Sequence, residues 1–283
     1  LFFRPVGFDY RSKMESPAWR NGWDWALFVG GFVPSLIFGV AFGNLLLGLP
    51  FHYDDTLRSF YTGSFWALLN PFALLCGLVS LTMLVMHGAI YLQLRTEGTV
   101  QKRAAKAARI SGITCAILFA LAGLWLAAGI EGYRLVQIPD VNSAINPLHK
   151  TVEKVAGAWL SNYSTYSWMM AAPALGFAGI ALALLSAARK WERCAFVFSS
   201  LALAGIILTA GFSMFPFIMP SSTDPVSSLT LWDAVSSQKT LGIMFVVTLI
   251  FLPLILIYTS WVFRVLRGKI TVQHIRDNSH TAY

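Results

Sequence analysis

The sequence predicts an all-α protein, a bundle of helices that cross a membrane several times. Of its 283 residues, 56% are hydrophobic and only 12% are charged, whereas soluble domains average about 25% charged residues. The mean hydropathy is +0.62. Many of the apolar residues lie in runs of about 20, the length that a helix needs to cross a hydrocarbon core of ~30 Å.

Six apolar runs are long enough to span a bilayer. The last contains fifteen Leu, Ile, Val or Phe residues, and Pro253 within it is tolerated because neighbouring helices can satisfy the backbone groups that it frees. The predicted spans lie at about 24–47, 67–92, 109–130, 168–187, 195–219 and 241–263.

Lys and Arg residues are distributed unequally between the two sets of connections. The N-terminal stretch, the connections after the second and fourth spans and the C-terminal tail carry sixteen of the 21 Lys and Arg residues. Because cytoplasmic loops are enriched in these residues, the asymmetry predicts that both ends of the chain are cytoplasmic. It accounts for the net charge of +8 without nucleic-acid binding. Residues 131–167 then lie outside, where we expect the VEKVAGAWL segment (152–160) to form a short surface helix.

The chain begins with LFFRPVGFDYRSK, in which apolar residues run into an Arg-Pro step and a polar stretch. If Arg11 and Lys13 are cytoplasmic, Leu1–Phe3 is the inner end of a helix that comes from outside, and we expect at least one span to precede it. The alternative is a genuine short N-terminus at the membrane surface. We expect residues 1–283 to form a single integral-membrane domain.

The predicted span interiors contain no Asp, Glu, Lys or Arg. A charge at membrane depth costs at least ~2.5 kcal/mol and usually marks an ion or substrate path. The absence of such charges therefore counts against a proton-coupled transporter and against a cation channel with an acidic ring. The three cysteines have no paired spacing, so they indicate neither a disulfide framework nor a thiolate metal site.

His87 is the only histidine in a predicted span. Haem iron needs axial ligands such as His or Met, and a metal site needs several converging ligands. No second histidine is available to pair with His87 from a neighbouring span, so we expect neither a metal site nor a haem ligand in this chain. The simpler interpretation is a neutral histidine that is hydrogen-bonded near the inner interface. The alternative is a place in a proton path.

Arg4 stands beside Pro5 at the start of the chain. One interpretation is an interfacial arginine whose long side chain extends to the headgroups. The other is a buried arginine paired with a carboxylate, where its permanent charge would hold the acid ionised or orient water for proton movement. Separately, Ser35, Gly39 and Gly43 repeat every four residues, a spacing that lets another helix approach closely.

Three long segments carry a resemblance to a known family: FFRPVGFDYRSK together with WRNGWDWALFVGGFVPSLIFGVAFGNLLLGLPF, then NPFALLCGLVSLTMLVMHGAIYLQLRTEG, then CAFVFSSLALAGIILTAGFSMFPFIMPSSTDPVSSLTLWDAVSSQKTLGIM. On these segments the chain resembles subunit II of cytochrome bd quinol oxidases. The likeness runs along nearly the whole chain and is greatest to the proteobacterial ubiquinol-type enzymes. Related cyanide-insensitive oxidases share this type of subunit.

The resemblance implies an eight-helix protein of the bacterial cytoplasmic membrane, of which this chain lacks the first two helices. It implies that haem b and haem d lie in the haem-bearing subunit I, as does the quinol site, and that this chain binds no haem. The complex would oxidise ubiquinol or menaquinol and reduce dioxygen to water. A small single-helix third subunit is compatible with this arrangement.

For single residues, the resemblance places Arg4 close to acids implicated in proton delivery, which belong to the part preceding this sequence. The position of His87 is a histidine in some relatives and a glutamine in others, which favours a hydrogen-bonding role. The leading hypothesis is a non-haem subunit needed for assembly, stability and access of protons or dioxygen. The alternative is a secondary transporter or permease, which would need ionisable or unwound sites at mid-membrane. A purely structural role in the oxidase is a third hypothesis, in which Arg4 does not affect turnover.

Overall fold

A computed structural model describes residues 2–137, 146–265 and 267–271. Two short helices, α1 (Phe3–Tyr10) and α5 (Ser161–Thr165), accompany six helices that are long and apolar enough to cross a membrane, which confirms the predicted helical bundle. The six are α2 (Pro17–Leu47), α3 (Pro71–Arg95), α4 (Gly98–Gly129), α6 (Ala171–Ala188), α7 (Glu192–Met214) and α8 (Gln238–Val265).

Three two-stranded antiparallel hairpins lie at one end of the bundle, and the sequence did not predict them. They pair β1 (Phe51–Tyr53) with β2 (Ser59–Tyr61), β3 (Glu131–Gln137) with β4 (Thr151–Ala156), and β5 (Phe217–Met219) with β6 (Leu229–Thr230). The hairpins contact one another: the Tyr53 amide donates to Ser227 Oγ at 3.1 Å. We call residues 48–70, 130–137, 146–170 and 215–237 the hairpin cap.

Two predicted spans run four or five residues past the end of their helix. The span predicted at 195–219 ends at Met214, because Pro216 has no amide hydrogen for a continuing helix and residues 217–219 pair with β6 instead. The span predicted from residue 67 begins at Pro71. There Asn70 caps the helix by accepting a hydrogen bond from the Ala73 amide at 2.8 Å, and proline suits the first helical position.

The surface helix predicted at 152–160 is also wrong. Residues 151–156 form β4, in which Val155 lies opposite Gly132 of β3, and a single 3-10 turn follows at 158–160. That turn buries Trp159 to 1% exposure, and its Nε1 donates to the Leu46 carbonyl at 2.9 Å. The rings of Tyr133, Trp159 and Phe217 lie 5.6 to 6.0 Å apart, so the hairpin cap has an aromatic core of its own.

The spans pack through small residues and a shared apolar core. Buried side chains of α3, α4, α6 and α7, among them Met86, Ile90 and Cys115, form one cluster. Between α6 and α7 the backbones approach so closely that a Cβ on Gly179 would stand 2.7 Å from the Ala202 nitrogen, as small residues permit at membrane helix interfaces. None of the residues of α8 is buried against the rest of the described chain.

The opposite end of the bundle, which we call the basic end, gathers the connections rich in Lys and Arg. The segment that follows α8 is attached there, because the Ile270 amide donates to the Arg95 carbonyl at 2.8 Å. Lys269 also pairs with Glu192 at 3.0 Å. The two sets of connections thus lie at opposite ends of the spans. That the basic end faces the cytoplasm stays a prediction, and residues 272–283 of the predicted cytoplasmic tail lie outside the described residues.

Candidate functional site

Arg4 lies on α1, which folds back along the first half of α2. Its Cγ is 3.4 Å from the place that a Cβ on Gly30 would take, so the aliphatic part of the arginine packs on α2. The residue as a whole is exposed. Within residues 2–137, 146–265 and 267–271 it takes part in no ion pair. Within the described residues, no carboxylate therefore offsets the charge of Arg4 by direct contact.

Contacts between α1 and α2 fix the position of Arg4. The guanidinium of Arg11 donates two hydrogen bonds, of 2.5 and 3.0 Å, to the Asp24 carboxylate. This bonding raises the pKa of Arg11. The Trp19 indole donates to the Tyr10 carbonyl at 2.8 Å. The corner between the two helices is therefore closed by side chains, although both charged partners remain partly exposed.

His87 joins α3 to α7. Its Nδ1 lies 2.8 Å from Ser199 Oγ, and its ring stacks on Phe196 with centroids 4.9 Å apart. Ser199 donates its single hydroxyl hydrogen to the Phe196 carbonyl at 2.8 Å. It can only accept from His87, so the hydrogen-bond network assigns a proton to Nδ1. The ring thus donates an interhelical hydrogen bond through Nδ1. In this neutral tautomer Nε2 carries no hydrogen and can only accept.

The structure does not bring Arg4 and His87 together. A Cβ on Gly43 of α2 would stand 2.6 Å from the Cα of Ala73 of α3, which fixes an antiparallel register between the two helices. Continued along the helices, this register puts Gly30, and with it Arg4, level with Met86. The arginine and the histidine therefore share a depth, but Arg4 contacts α2 while His87 contacts α7.

The small residues of α2 differ in what they contact. Gly39 and Gly43 lie directly on α3, since a Cβ on Gly39 would collide with the Cys76 carbonyl oxygen. Ser35 instead donates to the Gly31 carbonyl of its own helix at 2.7 Å. The close approach between α2 and α3 is thus centred on the two glycines.

A cavity of about 440 Å³ lies between α2, α3, α4 and α7, and sequence reasoning missed it. Its walls are mostly apolar and include Phe38, Phe42, Phe72, Phe119 and Ile206. No pattern in the sequence indicates such a space, because a cavity depends on how four helices meet. Separately, the described residues contain no group of three or more His, Cys, Asp or Glu that could hold a metal ion.

Comparison with known proteins connects this architecture to one family. A family model described as cytochrome bd terminal oxidase subunit II matches residues 1–266. The chain is 52% identical over 283 residues to the cytochrome bd-I ubiquinol oxidase subunit 2 of Escherichia coli (strain K12), which covers 100% of this chain and 75% of that protein. The chain belongs to the cytochrome bd terminal oxidase subunit II family.

Two further proteins resemble the chain, one in sequence and one in fold. A probable cytochrome oxidase subunit 2 of Haemophilus influenzae is 46% identical over 286 residues, covering 100% of this chain and 75% of that protein. The solved structure of the bd oxidase from Geobacillus thermodenitrificans aligns with a TM-score of 0.62 over 93% of this chain and 68% of that chain. At 14% identity this last likeness shows the fold alone.

Proposed function

We propose that this chain is subunit II of a bd-type quinol oxidase of the bacterial cytoplasmic membrane, a complex that oxidises quinol and reduces dioxygen to water. The match to the subunit II family over residues 1–266 carries the proposal. The 52% identity to a ubiquinol oxidase subunit supports it along the entire chain. Neither the comparisons nor the described residues favour a transporter. We also propose that residues 1–283 form one integral-membrane domain.

The haem b and haem d of the complex belong, in this proposal, to subunit I. Among the described residues, His87 and its neighbour Met86 do not fit an axial pair: the His87 ring is stacked on Phe196 and hydrogen-bonded to Ser199. The neighbouring Met86 is fully buried among core side chains. Subunit II would then act by holding its partner and by shaping the paths that lead to the haems. A small third subunit is compatible with this assignment.

Arg4 is our first candidate for a role in proton delivery. Its exposed position supports a pairing with a carboxylate outside the described residues, such as one of the partner subunit. The Nδ1 proton of His87 is engaged with Ser199, which makes a structural role the better proposal for that residue. For dioxygen, the 440 Å³ cavity offers an apolar space of the kind that admits small apolar molecules.

The oxidase assignment is tested by purifying the full-length, tagged protein from its native membrane in mild detergent. A reduced-minus-oxidised absorption spectrum with bands of b- and d-type haem, together with a larger co-purifying subunit, is the expected result. A colourless protein that purifies alone, under conditions that preserve membrane complexes, would remove the assignment.

The role of Arg4 is tested in the same complex by Arg4→Gln, with Arg20→Gln as the control. Both arginines are exposed and belong to the same end of the bundle. If Arg4 serves proton delivery, its replacement slows quinol oxidation while haem content is preserved, and the control is unaffected. Loss of haem would make Arg4 structural, and unchanged turnover would refute the proton hypothesis.

A further inference from the structure

An open cleft of about 680 Å³ lies at the basic end of the bundle. Three distant parts of the chain form its walls: the last residues of α3, the turn between α6 and α7 with the start of α7, and the segment after α8. They contribute residues 94–95, 190–194 and 267–269. The cleft is remote from the hairpin cap and separate from the cavity between the spans.

The cleft is strongly positive. Among the described residues, its lining has five cationic side chains and one carboxylate, that of Glu192: the cations are Arg95, Lys190, Arg193, Arg267 and Lys269. The Glu192 carboxylate neutralises one of these cations, because its Oε1 accepts from Lys269 at 3.0 Å. The same oxygen also accepts from Gln101 at 2.7 Å. The described lining therefore has a net charge of about +4 gathered in one cleft, which favours an anion.

Contacts within the chain fix the backbone segments that carry the cationic side chains. Ile270 donates its amide to the Arg95 carbonyl at 2.8 Å, and this bond ties the segment after α8 to the end of α3. The turn between α6 and α7 is tight, with Lys190 in the left-handed region at a φ of 61°. Its geometry is closed by the Trp191 amide, which donates to the Ser186 carbonyl at 2.9 Å. A preformed site binds with less loss of conformational freedom.

The cleft also lies where lipid headgroups would be. It opens at the ends of α3, α7 and α8, three of the membrane-spanning helices. Trp191 on its wall is 57% exposed, and the Arg189 guanidinium lies 5.6 Å from its ring centre. Exposed tryptophan is enriched at the level of the headgroups, and basic pockets between spans bind anionic headgroups.

We propose that this cleft binds the phosphodiester headgroup of an anionic phospholipid from the adjoining leaflet. Arginine offers paired donors that match phosphate oxygens, and lysine adds a mobile point charge. Leu94 and Trp191 provide an apolar wall for the glycerol and the start of the acyl chains. Free inorganic phosphate shares the chemistry of the headgroup but gains nothing from that wall. The site does not depend on the redox role of the complex.

The test titrates dioleoylphosphatidylglycerol into the intact, full-length complex in nonionic detergent and counts bound lipid by native mass spectrometry. The variant combines Lys190→Gln, Arg193→Gln and Arg267→Gln. The control combines Lys102→Gln, Arg103→Gln and Lys106→Gln, exposed residues of α4 at the same end that do not line the cleft. Each basic residue near an anionic surface strengthens binding about five-fold, so the cleft variant should lose at least ten-fold in affinity for one lipid.

The three outcomes are distinct. Loss of one tightly bound phosphatidylglycerol in the cleft variant alone, with phosphatidylcholine unaffected, is the expected result. Equal loss in the control, or no loss in either, would overturn the proposal, because the attraction would then be general surface charge or would be absent. Displacement of the lipid by inorganic phosphate at equal concentration would assign the site to the free ion and overturn the lipid assignment.

Cys194 supplies a second measurement in the unmodified protein, because it is exposed and lines the cleft. Its reaction with neutral N-ethylmaleimide, followed by mass spectrometry of the peptide that contains it, should slow at least five-fold when phosphatidylglycerol replaces phosphatidylcholine in nanodiscs. The same change of lipid should have no effect in the cleft variant. An equal rate in both lipids for the unmodified protein would contradict occupation of the cleft.

Discussion

The buried ion pair between Lys150 and Asp233 should stabilise the hairpin cap strongly enough to be measured at single amides. The two side chains are 0% and 2% exposed, and Lys150 Nζ lies 2.6 Å from the Asp233 carboxylate. Lys150 also donates to the Pro147 carbonyl at 2.5 Å, and the other carboxylate oxygen accepts from the Thr230 amide at 2.5 Å. Replacing Asp233 with Asn keeps an acceptor for Thr230 but leaves the ammonium without its counter-charge.

Two arguments give the size of the effect. Removing one partner of a buried pair typically costs about 3 to 5 kcal/mol. The lysine can also escape by losing its proton, which at pH 7 costs about 4.6 kcal/mol from an ordinary pKa of ~10.4, at 1.36 kcal/mol per unit. Burial already lowers the pKa of Lys150, opposed by its bonding to Asp233. The cap in Asp233→Asn should therefore open on the order of 100-fold to 1,000-fold more often.

The assay is hydrogen exchange with mass spectrometry on the purified complex, normalised to intrinsic exchange rates, for peptides that cover 146–156 and 229–234. The lowered pKa of Lys150 fixes the sign of the pH dependence. Between the folded pKa and ~10.4 the folded cap binds fewer protons than the open chain, so its stability rises with pH. In Asp233→Asn, removing the proton from Lys150 costs about 1.4 kcal/mol less for each unit by which the pH rises. The amount by which the variant exchanges faster than the unmodified protein should therefore shrink between pH 7 and 9.

The double variant Lys150→Met/Asp233→Asn removes the buried charge altogether and should recover most of the lost protection, as replaced buried pairs often do. Arg58→Gln is the matched control, because it breaks the exposed pair between Arg58 and Asp54 in the same cap. The control should change exchange only a few-fold. Less than a ten-fold change in Asp233→Asn at pH 7, or a double variant as open as the single one, would refute this reasoning.

Three further predictions concern the spans and the basic end. Gly39→Ala should destabilise the complex by about 1 to 3 kcal/mol in thermal unfolding, because the added Cβ meets the backbone of α3. Gly31→Ala is the control and should be neutral, because open space surrounds Gly31. Ser199→Ala should cost about 0.6 to 1.7 kcal/mol by removing the hydrogen bond between α3 and α7, and an unchanged melting temperature would contradict that contact. Cys194 should react with maleimide in the folded complex and Cys115 only after unfolding, since the first is exposed and the second buried; peptide mass spectrometry separates the two.

The number and type of the spans could be predicted because the bilayer imposes a local rule. A run of about 20 apolar residues becomes a helix whatever the rest of the chain does, since its backbone groups find no other partners in hydrocarbon. The rule fails at the ends of the spans. The apolar run that ends at Met219 continues past the end of α7, and hydropathy cannot separate its last residues from the helix. Likewise α4 begins at Gly98, well before its apolar part, because Lys102 and Lys106 are good helix formers in water.

The hairpin cap could not be predicted in the same way. Its strands are two to seven residues long, and their pairing depends on partners elsewhere in the chain. Local pattern predicts a surface helix for Val152 and Val155, yet β4 is held by β3 across a connection that includes residues 138–145, outside the described residues. Trp159 is buried because Leu46, 113 positions earlier, offers its carbonyl. Such contacts leave no local pattern.

The candidate site shows the same division. The composition of the spans identified His87 as unusual, but only the position of Ser199, 112 positions later, determines which ring nitrogen bears the proton. The number of Lys and Arg residues in each loop predicts an asymmetry between the two ends. It does not show which residues of different loops lie close together. The cleft exists because Arg95, Glu192 and Lys269 come from three distant parts of the chain and meet at one place. Charges excluded from the spans must collect where the spans end, so chemistry at those ends depends on tertiary packing, which the sequence encodes least directly.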